Sequence, residues 1–324
     1  MRSFLFAVVV LAAALTVRLR AEADDSLDKS LDRATAALQA GEADKAQELL
    51  NSLPASAGVH NLKCRVQYAL EHFDAAVNEC EQATSADGQN SDYHMWLARA
   101  LGEKAERASF MSAFSLAKKV CAEFETAVRL DGRNAPALAD LGEFYSTAPS
   151  IVGGGMDKAT RVAAQLDGVD VVRAHELRAR IAEAQKDYAN AEREFKTAIT
   201  SSQHPALQWM SLASYYRRRQ QWTALDSAID SGNKAAQHDA RAAVGYFNGS
   251  SVLTRANRNR MLAAKMLEDY LASSSLSEDA PAFVAYTRLA SIKNQMGDRA
   301  GAQEARAKAL ALAHDYKPAQ ALTF

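Results

Sequence analysis

Residues 172–205 read VRAHELRARIAEAQKDYANAEREFKTAITSSQHP. His175, Arg178, Ala179 and Ala182 recur at the spacing of one helical face, Asp187 breaks the pattern, and Tyr188, Ala191, Phe195 and Ala198 then mark the face of a second helix. The turn between them is short, so the second helix must return antiparallel to the first. The adjoining residues 206–239 repeat the arrangement without a gap: Trp209, Leu212, Ala213 and Tyr216, then Trp222, Leu225, Ile229 and Gly232. A period of this length means stacked supersecondary units, none of which can bury its apolar face alone.

The composition agrees. The 324 residues include 67 Ala but only 15 Gly and 6 Pro, too few turn formers for a β-sandwich or barrel, whereas Ala has the highest helix propensity. With 38 Lys+Arg against 39 Asp+Glu, the chain lacks the basic footprint of a nucleic-acid binder.

Carried outward, the same register finds Ala34, Gly41, Ala46, Leu50 and Leu53 in residues 27–60, and Cys64, Phe73, Ala76, Cys80 and Ala83 in 57–90. It finds Leu138, Leu141, Gly142 and Tyr145 in 135–170, and Leu289, Ala290, Gly297, Asp298, Ala302 and Ala309 in 283–316. Two units are irregular. Residues 91–134 match at both ends but carry about ten extra residues, Glu103 to Phe114, and 238–275 match weakly throughout.

Large, small and aromatic residues at these fixed positions resemble the tetratricopeptide repeat. The small side chains stand where two helices cross closely. The resemblance implies an all-α fold: an α-solenoid of about eight antiparallel helix pairs, a single stack over residues 24–324, elongated, with a concave groove lined by the first helices. Lys317 to Phe324 could add a short capping helix. The extra segment at 103–128 and the Pro149-Ser150-Ile151-Val152-Gly153-Gly154 turn further resemble a group of exported bacterial tetratricopeptide proteins with an inserted helix at this place. That likeness brings no activity with it.

Residues 1–23 read as a signal peptide. Arg2 precedes a mainly apolar stretch from Phe4 to Val17, and Ala21-Glu22-Ala23 offers cleavage after Ala23. At 14 residues the stretch spans roughly 21 Å as a helix, short of a bilayer core of about 30 Å. Arg18 and Arg20 favour the alternative, an uncleaved membrane tether serving a multiprotein machine. The cleaved chain would be periplasmic or secreted, with no membrane span and 35 Lys+Arg against 38 Asp+Glu.

The groove positions implied by the resemblance fall on Arg65, Tyr68, Arg99, Glu143, Arg173, Glu176, Arg180, Arg217, Arg218 and Tyr246. Guanidinium groups hold carboxylates bidentately, so the expected partner is a protein or peptide, engaged through an acidic or C-terminal segment. The Asn and Lys of the chaperone-tail carboxylate clamp do not stand at these positions. Trp96, Trp209 and Trp222 are expected between packed helices.

Nothing points to catalysis, a cofactor or a metal: the seven His form neither His-x-x-x-His nor Glu-x-x-His. Gly153, Gly154 and Gly155, ahead of a helix expected to be capped by Asp157, offer a small-ligand or anion-binding alternative, although P-loop spacing is lacking. Asn248-Gly249-Ser250 matches a glycosylation acceptor. Cys64 and Cys80 occupy inward faces of one hairpin, compatible with a disulfide or with a pair of buried small hydrophobes, and Cys121 is free in both cases.

Overall fold

The computed structural model describes residues 26–324; the expected signal segment lies outside the described residues. Sixteen helices form eight hairpins, and a single-turn helix follows. The pairs are α1 (26–39) with α2 (Ala43–Asn51), α3 (Ala57–Ala69) with α4 (Phe73–Ala86), α5 (Ser91–Glu106) with α6 (Phe110–Leu130), and α7 (Ala135–Thr147) with α8 (Met156–Leu166). They continue as α9 (Val171–Ala184) with α10 (Tyr188–Ser201), α11 (Ala206–Arg218) with α12 (Trp222–Gln237), α13 (Val244–Arg255) with α14 (Arg260–Leu271), and α15 (Ala282–Gln295) with α16 (Arg299–Leu312). The closing turn is α17 (Lys317–Gln320).

Six hairpins turn in the same way, through one left-handed residue at Gly41, Glu71, Lys186, Gln220, Asn257 or Gly297. The next N–H then reaches back to the carbonyl five residues earlier, as in His72 to Gln67 and Asp187 to Ala182, both 2.9 Å, which satisfies the end of the first helix. Ala46, Ala76, Ala179, Ala191, Ala213 and Ala302 are completely buried at the crossings, as the repeat pattern requires. Three hairpins also share a link between their helices: His60–Glu79 at 2.7 Å, His94–Glu123 at 2.6 Å and His175–Glu194 at 2.7 Å.

The irregular units resolve differently from expectation. The segment 103–114 is no separate inserted helix. It lengthens both α5 and α6, the latter to 21 residues, and the tip exposes Phe110 and Met111. The Asp157 cap is also displaced, because α8 begins at Met156 behind Gly155. In the seventh unit a 3-10 turn at Ala240–Ala242 leads into α13. That helix contains the glycosylation-like triplet, with Gly249 buried and Ser250 1% exposed while Asn248 is half-buried.

The larger correction concerns shape. The array is not an elongated stack, because its last repeat packs on its first. Phe283, Ala309, Ala313 and Tyr316 share one buried cluster with Leu38, Ala46, Leu50 and Leu70. The approach is close enough that a Cβ at Gly41 would lie 2.3 Å from the Ala282 nitrogen. A solenoid leaves an apolar face at each end that something must cover. Here the two ends cover each other, with α17 and its buried Ala319 completing the seam.

Candidate functional site

Closure turns the expected groove into a partly open cavity of about 680 Å³, lined mainly from α3, α5, α6, α7, α15 and the loop before α15. Trp96 of α5 forms part of its wall. The Arg65 and Arg99 guanidinium carbons stand 5.4 and 4.7 Å from its ring centroid, and the Tyr68 ring meets it edge-on at 5.6 Å.

Most of the arginines expected to face a ligand already hold carboxylates. Arg65 grips Glu278 through Nε at 3.0 Å and Nη2 at 2.6 Å. Arg99 donates to Asp140 at 2.6 Å, and Arg180 to Glu143 at 2.5 Å across adjacent repeats. Arg218 forks onto Glu183, with both bonds 2.7 Å, and Arg173 bonds Asp170 at 3.1 Å. Burial works against the charge on Arg99, but Asp140 outweighs it and raises the pKa above the usual arginine value. Burial likewise pushes the Tyr68 hydroxyl above its ordinary value, and the Glu103 charge adds to the effect. These five arginines are electrostatically satisfied, and of them Arg65 and Arg99 line the cavity.

Three further arginines stand in the later repeats, of which only Arg288 lines the cavity. Arg217 of α11, Arg255 of α13 and Arg288 of α15 have no ion-pair partner among the described residues. Arg217 Nε is buried without a hydrogen-bond partner, and its pKa is lowered by burial and then by the neighbouring Arg218 and Arg255 charges. Burial lowers Arg288 too, with Arg255 acting in the same direction. Arg288 bonds only Ser251 and lies 4.1 Å over the Phe247 ring. Arg255 thus acts against the charge of both Arg217 and Arg288, while Tyr316 and the Glu71 carboxylate act on Arg288 in the opposite sense. Arg217 was legible from repeat position. Arg255 was not, because the weak seventh unit hides the register of α13, and Arg288 was not, because it falls outside the expected groove positions of the eighth unit.

The remaining expectations divide. Tyr246 is 7% exposed within the core, and the charges acting on its hydroxyl are Asp269 and Lys265 of α14 rather than groups of the cavity. Trp96 and Trp209 pack as expected, whereas Trp222 is 40% exposed with Arg258 over its ring. The glycine loop spends its N–H groups internally: Gly153 on Ser150, Gly154 on Pro149 and Gly155 on Tyr145, at 3.0, 3.2 and 2.8 Å. No donor of these three is left for an anion. Their smallness has another cause, since a Cβ would sit 2.6 Å from Cys121 Sγ at Gly153 and 1.8 Å from the Ala148 oxygen at Gly154. Cys64 and Cys80 are joined by a disulfide with Cα atoms 5.2 Å apart, and Cys121 is free and buried. Among the described residues, no helix is long and apolar enough to cross a membrane.

Eight hairpins with small residues at the crossings define a tetratricopeptide-repeat fold, an all-α solenoid, here closed end to end. No protein-family model and no curated protein matches the chain. Solved structures similar to it include a thermophilic TPR protein of Thermus thermophilus, with TM-score 0.47 and 16% identity over 53% of this chain and 90% of that one. PilF of Pseudomonas aeruginosa aligns with TM-score 0.42 and 14% identity over 78% of this chain and 97% of that one. A tetratricopeptide repeat protein from Parabacteroides merdae gives the same TM-score and identity over 91% of this chain and 99% of that one.

Proposed function

We propose that this protein is an exported, non-catalytic scaffold that holds an acidic segment of a protein partner against the inner face of its sixth to eighth repeats. The observation that carries this reading is the trio Arg217, Arg255 and Arg288, none of which makes an ion pair among the described residues, with Glu71 acting on Arg288 from beyond ion-pair distance. A carboxylate-rich segment would relieve their mutual repulsion and accept hydrogen bonds that the protein leaves unmade. A hydrogen bond to a charged group contributes about 1.5–3 kcal/mol, and micromolar affinity needs about 8 kcal/mol, so three guanidinium groups with some apolar contact are of the right order. Export is supported by the N-terminal sequence pattern and by the Cys64–Cys80 disulfide, which suits an oxidising compartment.

The test is fluorescence anisotropy with a labelled octaglutamate peptide. Binding should weaken with added salt and fall at least tenfold in Arg217→Glu/Arg255→Glu/Arg288→Glu. Arg99→Glu/Arg180→Glu should matter less, since those cations already hold Asp140 and Glu143. Undiminished binding by a folded triple variant would remove the reading. Intact mass of the protein recovered from the cell envelope tests export, with a chain starting at Asp24 expected and one retaining Met1 ruling out cleavage.

A further inference from the structure

No two histidines stand at metal-ligand spacing in the sequence, yet closure of the array brings a His–Asp set together from its two ends. Asp44 lies in the first turn of α2, His72 immediately precedes α4, and His314 and Asp315 form the turn after α16. One ligand atom from each of Asp44, His314 and Asp315 lies within 4.8 Å of the others. His72 lies just outside that group, with Nδ1 4.0 Å from Asp315 Oδ2 and 3.1 Å from Gln67 Oε1, a contact it would give up on binding an ion. Tetrahedral zinc sites place their nitrogen and oxygen ligands about 3.4 Å apart, so small side-chain rotations separate this arrangement from a coordination shell.

A second observation concerns Asp315. Its side chain is 42% exposed, but the Oδ1 atom is shielded from solvent and has no hydrogen-bond partner among the described residues. Such an oxygen is costly unless a positive charge meets it. Asp44 by contrast is held in place, accepting from the His314 backbone N–H at 2.9 Å and contacting His314 Nδ1 at 2.8 Å.

We propose that Asp44, His72, His314 and Asp315 bind one divalent ion of the zinc class, which clips the last repeat to the first. Two imidazoles with two carboxylates suit zinc better than calcium or magnesium, which take oxygen ligands, and the two carboxylates balance the charge of the ion. On binding, the ion takes the place of the proton at His314 Nδ1; a neutral imidazole then carries its proton on Nε2, and an imidazolium releases one proton to solvent. Because the ligands meet only when the array is closed, metal binding and closure are coupled. The site is distinct from the interior arginines, and neither proposal depends on the other.

The experiment is calorimetric titration of tag-free, chelator-treated full-length protein with zinc chloride, with calcium chloride as comparison, alongside thermal unfolding with and without zinc. One zinc per chain is expected, with a rise in the unfolding temperature. Affinity should fall at least tenfold in His314→Gln and in Asp315→Asn, both at exposed or half-exposed positions where folding can be verified by circular dichroism. His60→Gln, which touches a different His–Glu link, should bind as the wild type does. Absence of zinc binding, calcium binding in preference to zinc, or zinc binding that persists in the His314→Gln/Asp315→Asn double variant would each overturn the assignment.

Discussion

Arg65 and Glu278 are 213 positions apart in the chain, yet they form a forked ion pair, with Nη2 2.7 Å from Oε1 and 2.6 Å from Oε2. The pair ties α3, in the second repeat, to the loop before α15, in the eighth. At 15% and 21% side-chain exposure it is shielded enough to contribute measurably, unlike an open surface pair. Glu278→Gln should lower unfolding free energy by roughly 1–3 kcal/mol in urea titration. In a double-mutant cycle with Arg65→Ala, the coupling should account for most of that loss. Small-angle scattering should show the variant expanded if the pair helps hold the array closed.

The Cys64–Cys80 bridge closes a loop with a sequence separation of 16. Loop-closure entropy assigns such a bridge about 3 kcal/mol. Reducing agent should therefore lower the stability of the native protein by about that amount and leave Cys64→Ala/Cys80→Ala unaffected. Cys121 should stay unreactive toward a thiol reagent at pH 8 until the protein unfolds, because burial and the Glu125 carboxylate push its thiol up to about 11.

The hairpin turns allow a paired test. Gly297 adopts φ 85° with open space around its missing Cβ, so Gly297→Ala isolates the cost of a left-handed residue, about 1–2 kcal/mol. Lys186 adopts φ 64° at the equivalent place, so Lys186→Gly should be neutral or stabilising. Thermal unfolding of both variants would show opposite shifts.

Glu176 supplies the pH dependence. Burial raises its pKa, only partly offset by a hydrogen bond from Ser211 and by Arg180 and Arg173. A carboxyl group raised in the folded state contributes stability that is complete below the unfolded pKa and is lost as pH rises through the folded one. Glu176→Gln escapes that loss. It should be more stable than the wild type at pH 7, with the difference vanishing below about pH 4 in denaturant titrations.

The helix hairpins were legible because their causes are local. Ala179 and Ala191 face each other whatever surrounds them, and Gly41 and Gly297 announce turns. The third hairpin misled because ten extra residues at helical spacing lengthen two helices as readily as they add one. The cavity was half legible. Repeat position picked out Arg65, Arg99, Arg180 and Arg217, but it carries no information on which of them meets an acid. Asp140 lies one repeat onward from Arg99, Glu143 one repeat before Arg180, and Glu278 on the far side of the closure.

Periodicity and composition by themselves determined an all-helical array of about eight hairpins, because crossing distance and turn geometry depend on residues a few positions apart. Only the tertiary structure decided that the array closes. Closure depends on how small rotations between repeats accumulate until Phe283 and Tyr316 reach Leu38 and Leu50. That sum, spread over the whole chain, also brings Glu278 to Arg65 and His314 to Asp44.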